Sequence, residues 1–132
     1  TREFYPNALG ALKHQLLLNR LRGGTAAVIV EPIGPESGTR PVPKDFNQKV
    51  RELCDEFGAL LIFDEVVTGF RLGLGGAQGY FNVKPDLTVF GKCITGGDPR
   101  AGGVGGRRDV IATFAAGAGC CARPAPDGAG AR

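Results

Sequence analysis

Methionine and tryptophan are missing from these 132 residues, and histidine occurs once, at His14. With a single imidazole, a Ser-His-Asp triad would rest on His14 alone, inside a leucine-rich helical pattern, which argues against that chemistry. Cysteine is scarce as well. Cys54, Cys93 and the adjacent Cys120 and Cys121 form no C-x-x-C pair and no zinc-type spacing, so they read as reduced thiols rather than metal ligands or a disulfide framework. No apolar run approaches the ~20 residues of a membrane span, and the first residues lack a signal-peptide pattern. A dense basic tract is absent too: the net charge is +3, and the tightest cluster is Arg107-Arg108, so no nucleic-acid footprint is indicated. The expectation is a soluble, cytoplasmic chain without membrane or nucleic-acid partners. With no methionine and Thr1 at the front, these residues are also expected to be a stretch of a longer protein.

Glycine is plentiful at 22 residues, while apolar (42%) and charged (22%) contents are those of an ordinary globular domain. The length suits one small domain. Leu9, Leu12, Leu16, Leu17 and Leu21 recur at helical spacing and Gly23-Gly24 stops the run, which predicts a helix over 6–22. Residues 25–31 (TAAVIVE) form a short β-branched run of the kind buried on both faces of a parallel sheet. Four prolines and two glycines make 32–44 a long loop. Asp45 can cap the next helix with Gln48 as its capping-box partner; Val50, Leu53, Cys54 and Phe57 form the buried stripe and Gly58 ends it. Residues 59–63 (ALLIF) and 86–90 (DLTVF) are two more strands. The segment 69–79 between them is loop, with room for a short helix near 77–81. A second glycine-rich segment fills 96–106, and 107–116 is helical. Alternating strands and helices predict parallel βαβ units in an α/β fold spanning 1–116. Residues 117–132 have no apolar periodicity and read as a disordered tail, or one translated from a shifted frame.

In an open α/β sheet, ligands gather at the carboxyl ends of the strands. Three polar groups fall there without obvious structural need: Glu31, Asp64 with Glu65, and Lys92. A lysine desolvated at such an edge becomes nucleophilic, and a carboxylate there can keep a ring nitrogen protonated. Those two groups are what pyridoxal 5′-phosphate (PLP) asks of a protein. Other motifs fail. Gly91-Lys92 is followed by Cys93, and Asp86 stands where a P-loop needs its first glycine. Arg108 falls on the last glycine position of a would-be G-x-G-x-x-G.

The surroundings of those residues sharpen the reading. Residues 61–71 read LIFDEVVTGFR and 86–97 read DLTVFGKCITGG, with Asp64 and Lys92 28 positions apart. Together they resemble the signature of the class III aminotransferase family over roughly residues 8–114. The segments GGAQGY at 75–80 and KPDLT at 84–88 are most similar to its glutamate-1-semialdehyde aminomutase branch. The resemblance implies part of the large PLP-binding domain of fold type I, with a mostly parallel sheet. It implies that Lys92 forms the Schiff base with PLP and shuttles a proton between the substrate's α-carbon and C4′. It implies that Asp64 pairs with the pyridinium nitrogen, that Val66 packs on a ring face, and that Glu31 lies near the cofactor. Cys93 is expected to be a packing residue. The substrate would be an amino acid or amine, and the full-length protein a homodimer.

The pattern departs from the family in places. Residues 33–38 (IGPESG) differ from the aminomutase loop, and residues 98 and 100 put charges where an apolar or aromatic residue is expected. A complete member of the family also carries a phosphate-gripping loop, a ring-stacking aromatic and a threonine reaching across the dimer, none of which lies in this sequence. The expected reaction is intramolecular amino transfer, with transamination to a second keto acid as the alternative. A third reading is a truncated or frameshifted piece with no activity of its own.

Overall fold

The computed structural model describes residues 9–96 and 101–116. Four strands make one sheet in sequence order: β1 (Ala27–Val30), β2 (Leu60–Asp64), β3 (Leu87–Phe90) and β4 (Gly103–Gly106). The first three are parallel, with Val28 beside Leu61, Val30 beside Phe63, Ile62 beside Leu87 and Asp64 beside Val89. The fourth runs antiparallel along β3. This is the mostly parallel α/β sheet expected.

One face of the sheet is covered by α1 (Leu9–Arg20) and α3 (Phe46–Phe57). Residues alternate across a strand, so Leu61 and Phe63 of β2 share that face and are wholly buried against Val50 and Cys54 of α3 and Leu12 and Leu16 of α1. Each such side chain removed from water stabilises the fold by about 1.5–3 kcal/mol. Burial pushes the Cys54 thiol up to about 11, so it packs as a small apolar group. Helix α3 ends where Gly58 turns left-handed and its N–H reaches the last carbonyls, as the sequence suggests.

Several expectations are corrected. The β1 strand is not buried on both faces: Ile29 is 57% exposed, because both long helices lie on the opposite side. Of the five leucines expected to line the first helix, Leu17 and Leu21 are exposed. Only the Leu9, Leu12 and Leu16 stripe meets the core. Asp45 precedes α3 but makes no cap bond. Its backbone is already near-helical, so its carboxylate pairs with Lys49 instead, while Gln48 bonds Glu52. The glycine-rich 96–106 segment holds a strand that glycine's weak β propensity hid. There, Gly106 lies so close to the Asp86 carbonyl that any Cβ would overlap it. The loop at 32–44 contains one tight turn, α2 (Pro35–Gly38), in which Glu36 and Ser37 are left-handed. The short helix between β2 and β3 is α4 (Gly76–Phe81), and α5 (Arg108–Ala116) follows β4 as expected. Residues 97–100, the tail at 117–132, Cys120 and Cys121 lie outside the described residues.

Candidate active site

Because β1, β2 and β3 run parallel, their carboxyl ends meet along one edge. Glu31 follows β1, Asp64 closes β2, and Lys92 stands three positions beyond Val89, the register partner of Asp64. The two strand ends are tied directly, the Glu65 N–H donating to the Val89 carbonyl at 2.9 Å. Asp64 shares the uncovered face of β2 with Leu60 and Ile62, and its Oδ1 accepts the Val66 N–H at 3.1 Å. Gly91, just before Lys92, lies against Val66. A Cβ on Gly91 would come within 3.3 Å of Val66 Cγ1. Asp64, Val66 and Lys92 are thus brought to one place by two hydrogen-bonded strands.

Backbone strain collects at the same edge. Glu36 and Ser37 beyond β1, Phe70 beyond β2 and Lys92 beyond β3 all have positive φ without being glycine. The only other non-glycine of this kind among the described residues is Asn82, which ends α4 and tolerates that conformation. Each strained residue costs on the order of 1 kcal/mol, and such residues gather where geometry serves a ligand.

The remaining groups at this edge have structural tasks that the sequence did not disclose. The Glu31 carboxylate accepts the N–H groups of Glu36 at 3.3 Å and Ser37 at 3.1 Å, fixing the left-handed turn. Asn47, fully buried at the start of α3, donates to the Pro32 carbonyl at 2.8 Å and holds the same loop from below. Glu65, grouped with Asp64 as a residue without structural need, is 1% exposed and accepts the Ala77 and Gln78 N–H groups at 2.6 and 3.3 Å and the Thr68 hydroxyl at 3.2 Å. Gly76 completes this arrangement: its φ is +58° and a Cβ would collide with the Glu65 carboxylate. Strand alternation was the available signal, since it turns Glu65 toward the covered face and Asp64 away from it.

Two expectations are not met among the described residues. Lys92 is exposed, so the desolvating wall argued for such an amine is not supplied here. Cys93 is exposed and does not pack. A groove of about 450 Å³ lies nearby, lined by Gly69, Phe70, Gln78, Lys84, Phe90 and Ile94. None of Asp64, Val66 or Lys92 lines it. No cluster of His, Cys, Asp and Glu capable of holding a metal exists among the described residues. No described helix is long and apolar enough to cross a membrane.

The sequence matches the profile of the family described as Aminotransferase class-III over residues 7–122. The chain belongs to that family. Among the similar proteins is the glutamate-1-semialdehyde 2,1-aminomutase of Acetivibrio thermocellus, 52% identical over 97 residues, covering 74% of this chain and 22% of that protein. Among solved structures, the β-phenylalanine aminotransferase of Variovorax paradoxus superposes with a TM-score of 0.69 at 39% identity, over 82% of this chain and 24% of that one. A glutamate-1-semialdehyde aminomutase of Pseudomonas aeruginosa, solved with PMP, gives 0.68 at 34% identity, over 86% and 23%. The chain therefore spans about a quarter of the length of the relatives it matches.

Proposed function

We propose that this chain carries the lysine and ring-nitrogen partner of an enzyme that transfers amino groups with PLP, Lys92 being the Schiff-base residue. The observation carrying this reading is the juxtaposition of Asp64 and Lys92 on adjacent parallel strand ends, with Gly91 seated on Val66 between them. An amine, a carboxylate and an apolar patch at one edge are the donor set that the cofactor's aldehyde, ring nitrogen and ring face need, so the residues fit the group. Bound PLP supplies an electron sink for the charge that develops when a substrate's α-carbon loses its proton. Lys92 Nζ would hold the cofactor's aldehyde and, once freed, move the proton lost by the substrate's α-carbon. The Asp64 carboxylate would pair with the ring nitrogen through a charge-assisted hydrogen bond. Val66 would supply an apolar contact to the ring and keep water from it. Glu31 acts beside the cofactor through the loop it holds.

The preferred substrate chemistry is intramolecular transfer like that of glutamate-1-semialdehyde aminomutase, supported by the 52% identity to such a protein. Transamination of an amino acid or amine is the second reading, favoured by the β-phenylalanine aminotransferase structure at 39% identity. The extent of the match, about a quarter of each relative, favours a third outcome in which these residues alone are catalytically incomplete. In the complete protein the site would belong to a cytoplasmic homodimer.

Borohydride trapping tests the reading. The chain is incubated with PLP, reduced, digested and mapped by mass. Selective modification of Lys92, absent in Lys92→Ala, is expected. Labelling scattered over Lys13, Lys44 and Lys84 would overturn it.

A further inference from the structure

We infer that Glu65 is a positioning residue that aims Asp64 and Val66 at the cofactor, an inference resting on the site proposed above. Glu65 sits between those two residues in sequence and is itself 1% exposed. Its main chain ties the turn to both neighbouring segments, the N–H to the Val89 carbonyl at 2.9 Å and the carbonyl to the Gly69 N–H at 2.8 Å. Its carboxylate anchors the turn a third time, on Ala77 at 2.6 Å, Gln78 at 3.3 Å and Thr68 at 3.2 Å.

A buried acid holding charge-assisted bonds on several sides cannot rotate without leaving those donors unsatisfied. The peptide units on either side of Glu65 are therefore fixed, and with them the directions in which Asp64 and Val66 leave the backbone. The bond from the Val66 N–H to Asp64 Oδ1, at 3.1 Å, spans that same turn. Gly69 adds a constraint, since a Cβ there would come within 2.8 Å of the Glu65 carbonyl oxygen. The glycine-rich segment is thus bound to the acid end of the site through one side chain. Its absence of side chains at Gly69 and Gly76 is what lets the backbone come close enough to be held.

The test uses the full 132-residue chain, free of cofactor, with amide exchange followed residue by residue. Two variants are compared with wild type. Glu65→Gln keeps the shape but presents an NH2 group to donors, and Thr68→Val removes only the hydroxyl bond. Positioning predicts that in Glu65→Gln the Val66 amide exchanges roughly tenfold faster, in step with Ala77 and Gln78. Leu61 and Phe63 in the same strand should keep their wild-type rates. Thr68→Val should move Val66 in the same direction by less, and carries the test alone if Glu65→Gln does not fold. Faster exchange confined to Ala77 and Gln78, with Val66 and the Asp64 signals unchanged, would show that Glu65 merely caps α4 and would overturn the inference. Trapping with PLP separates this from failure of the site. Scattered labelling in wild type sinks the site and the role together. Selective Lys92 labelling in wild type that is lost in Glu65→Gln supports the role, and equal selectivity in both overturns it.

Discussion

Asp64 and Glu65 are neighbours of identical charge with opposite fates, and strand alternation is the reason. The first leaves β2 toward the uncovered face; the second turns inward and spends its carboxylate on three donors. Asp64→Ala should therefore leave the fold intact while weakening retention of PLP by about 1.5–3 kcal/mol, the worth of a hydrogen bond to a charged group. Equilibrium dialysis with wild type and variant measures this, and equal affinity would sink the ring-nitrogen role. Gly76→Ala should do the reverse, acting on the fold. It places a side chain at positive φ and pushes it into a buried carboxylate, so urea unfolding should show a loss of about 2 kcal/mol or more.

At the level of elements, the fold is knotted at the edge opposite the site by Asp86. Its carboxylate accepts from Arg51 of α3 at 2.7 Å, from the Leu61 N–H of β2 at 2.7 Å and from Arg107, just before α5, at 2.8 Å. Desolvation works to raise this carboxyl, but Arg107, the Leu61 N–H and Arg51 together hold it below the usual aspartate value of 3.8. A depressed folded value means that the contribution is present above 3.8 and is lost as pH falls through the lower, folded value. Asp86→Asn should lower stability at pH 7 by about 1–3 kcal/mol, since the charge-assisted bonds of a nearly buried carboxylate to Arg51, Arg107 and the Leu61 N–H are weakened, although Arg51 keeps Asp55 and Arg107 keeps Asp109. It should also flatten the decline in unfolding midpoint below about pH 4. Asp109 shares Arg107 with Asp86, so the comparison is made in an Asp109→Asn background, where the exposed Asp45–Lys49 pair is the same in both proteins and the difference isolates Asp86. A variant whose acid profile matched wild type would contradict this assignment.

Among the described residues, the long helices α1 and α3 cover one face of the sheet. Ile29 at 57% and Val104 at 53% exposure mark the other face, and β1 and β4 are edge strands with open backbone groups among the described residues. Parallel sheets are stable when both faces are covered, and open edges recruit other strands. The chain is expected to associate as its concentration rises, by light scattering coupled to gel filtration. Ile29→Thr with Val104→Thr should reduce that association without lowering the unfolding midpoint. A wild type that stays monomeric throughout would show that this face is tolerated by itself.

Local pattern was enough to determine three of the four strands and the longer helices, because periodicity and turn chemistry act over a few residues. The helix at Phe46–Phe57 with its glycine end, the strands at Leu60–Asp64 and Leu87–Phe90, and the places of Asp64 at the end of one strand and Lys92 just past the next were legible on that basis. The tertiary structure alone decided which face of each strand is buried, how Glu31 and Glu65 spend their carboxylates, and that Gly103–Gly106 is a strand. Those outcomes depend on partners distant in sequence. A backbone donor at Ala77 or a carbonyl at Asp86 becomes a neighbour only after the sheet has formed.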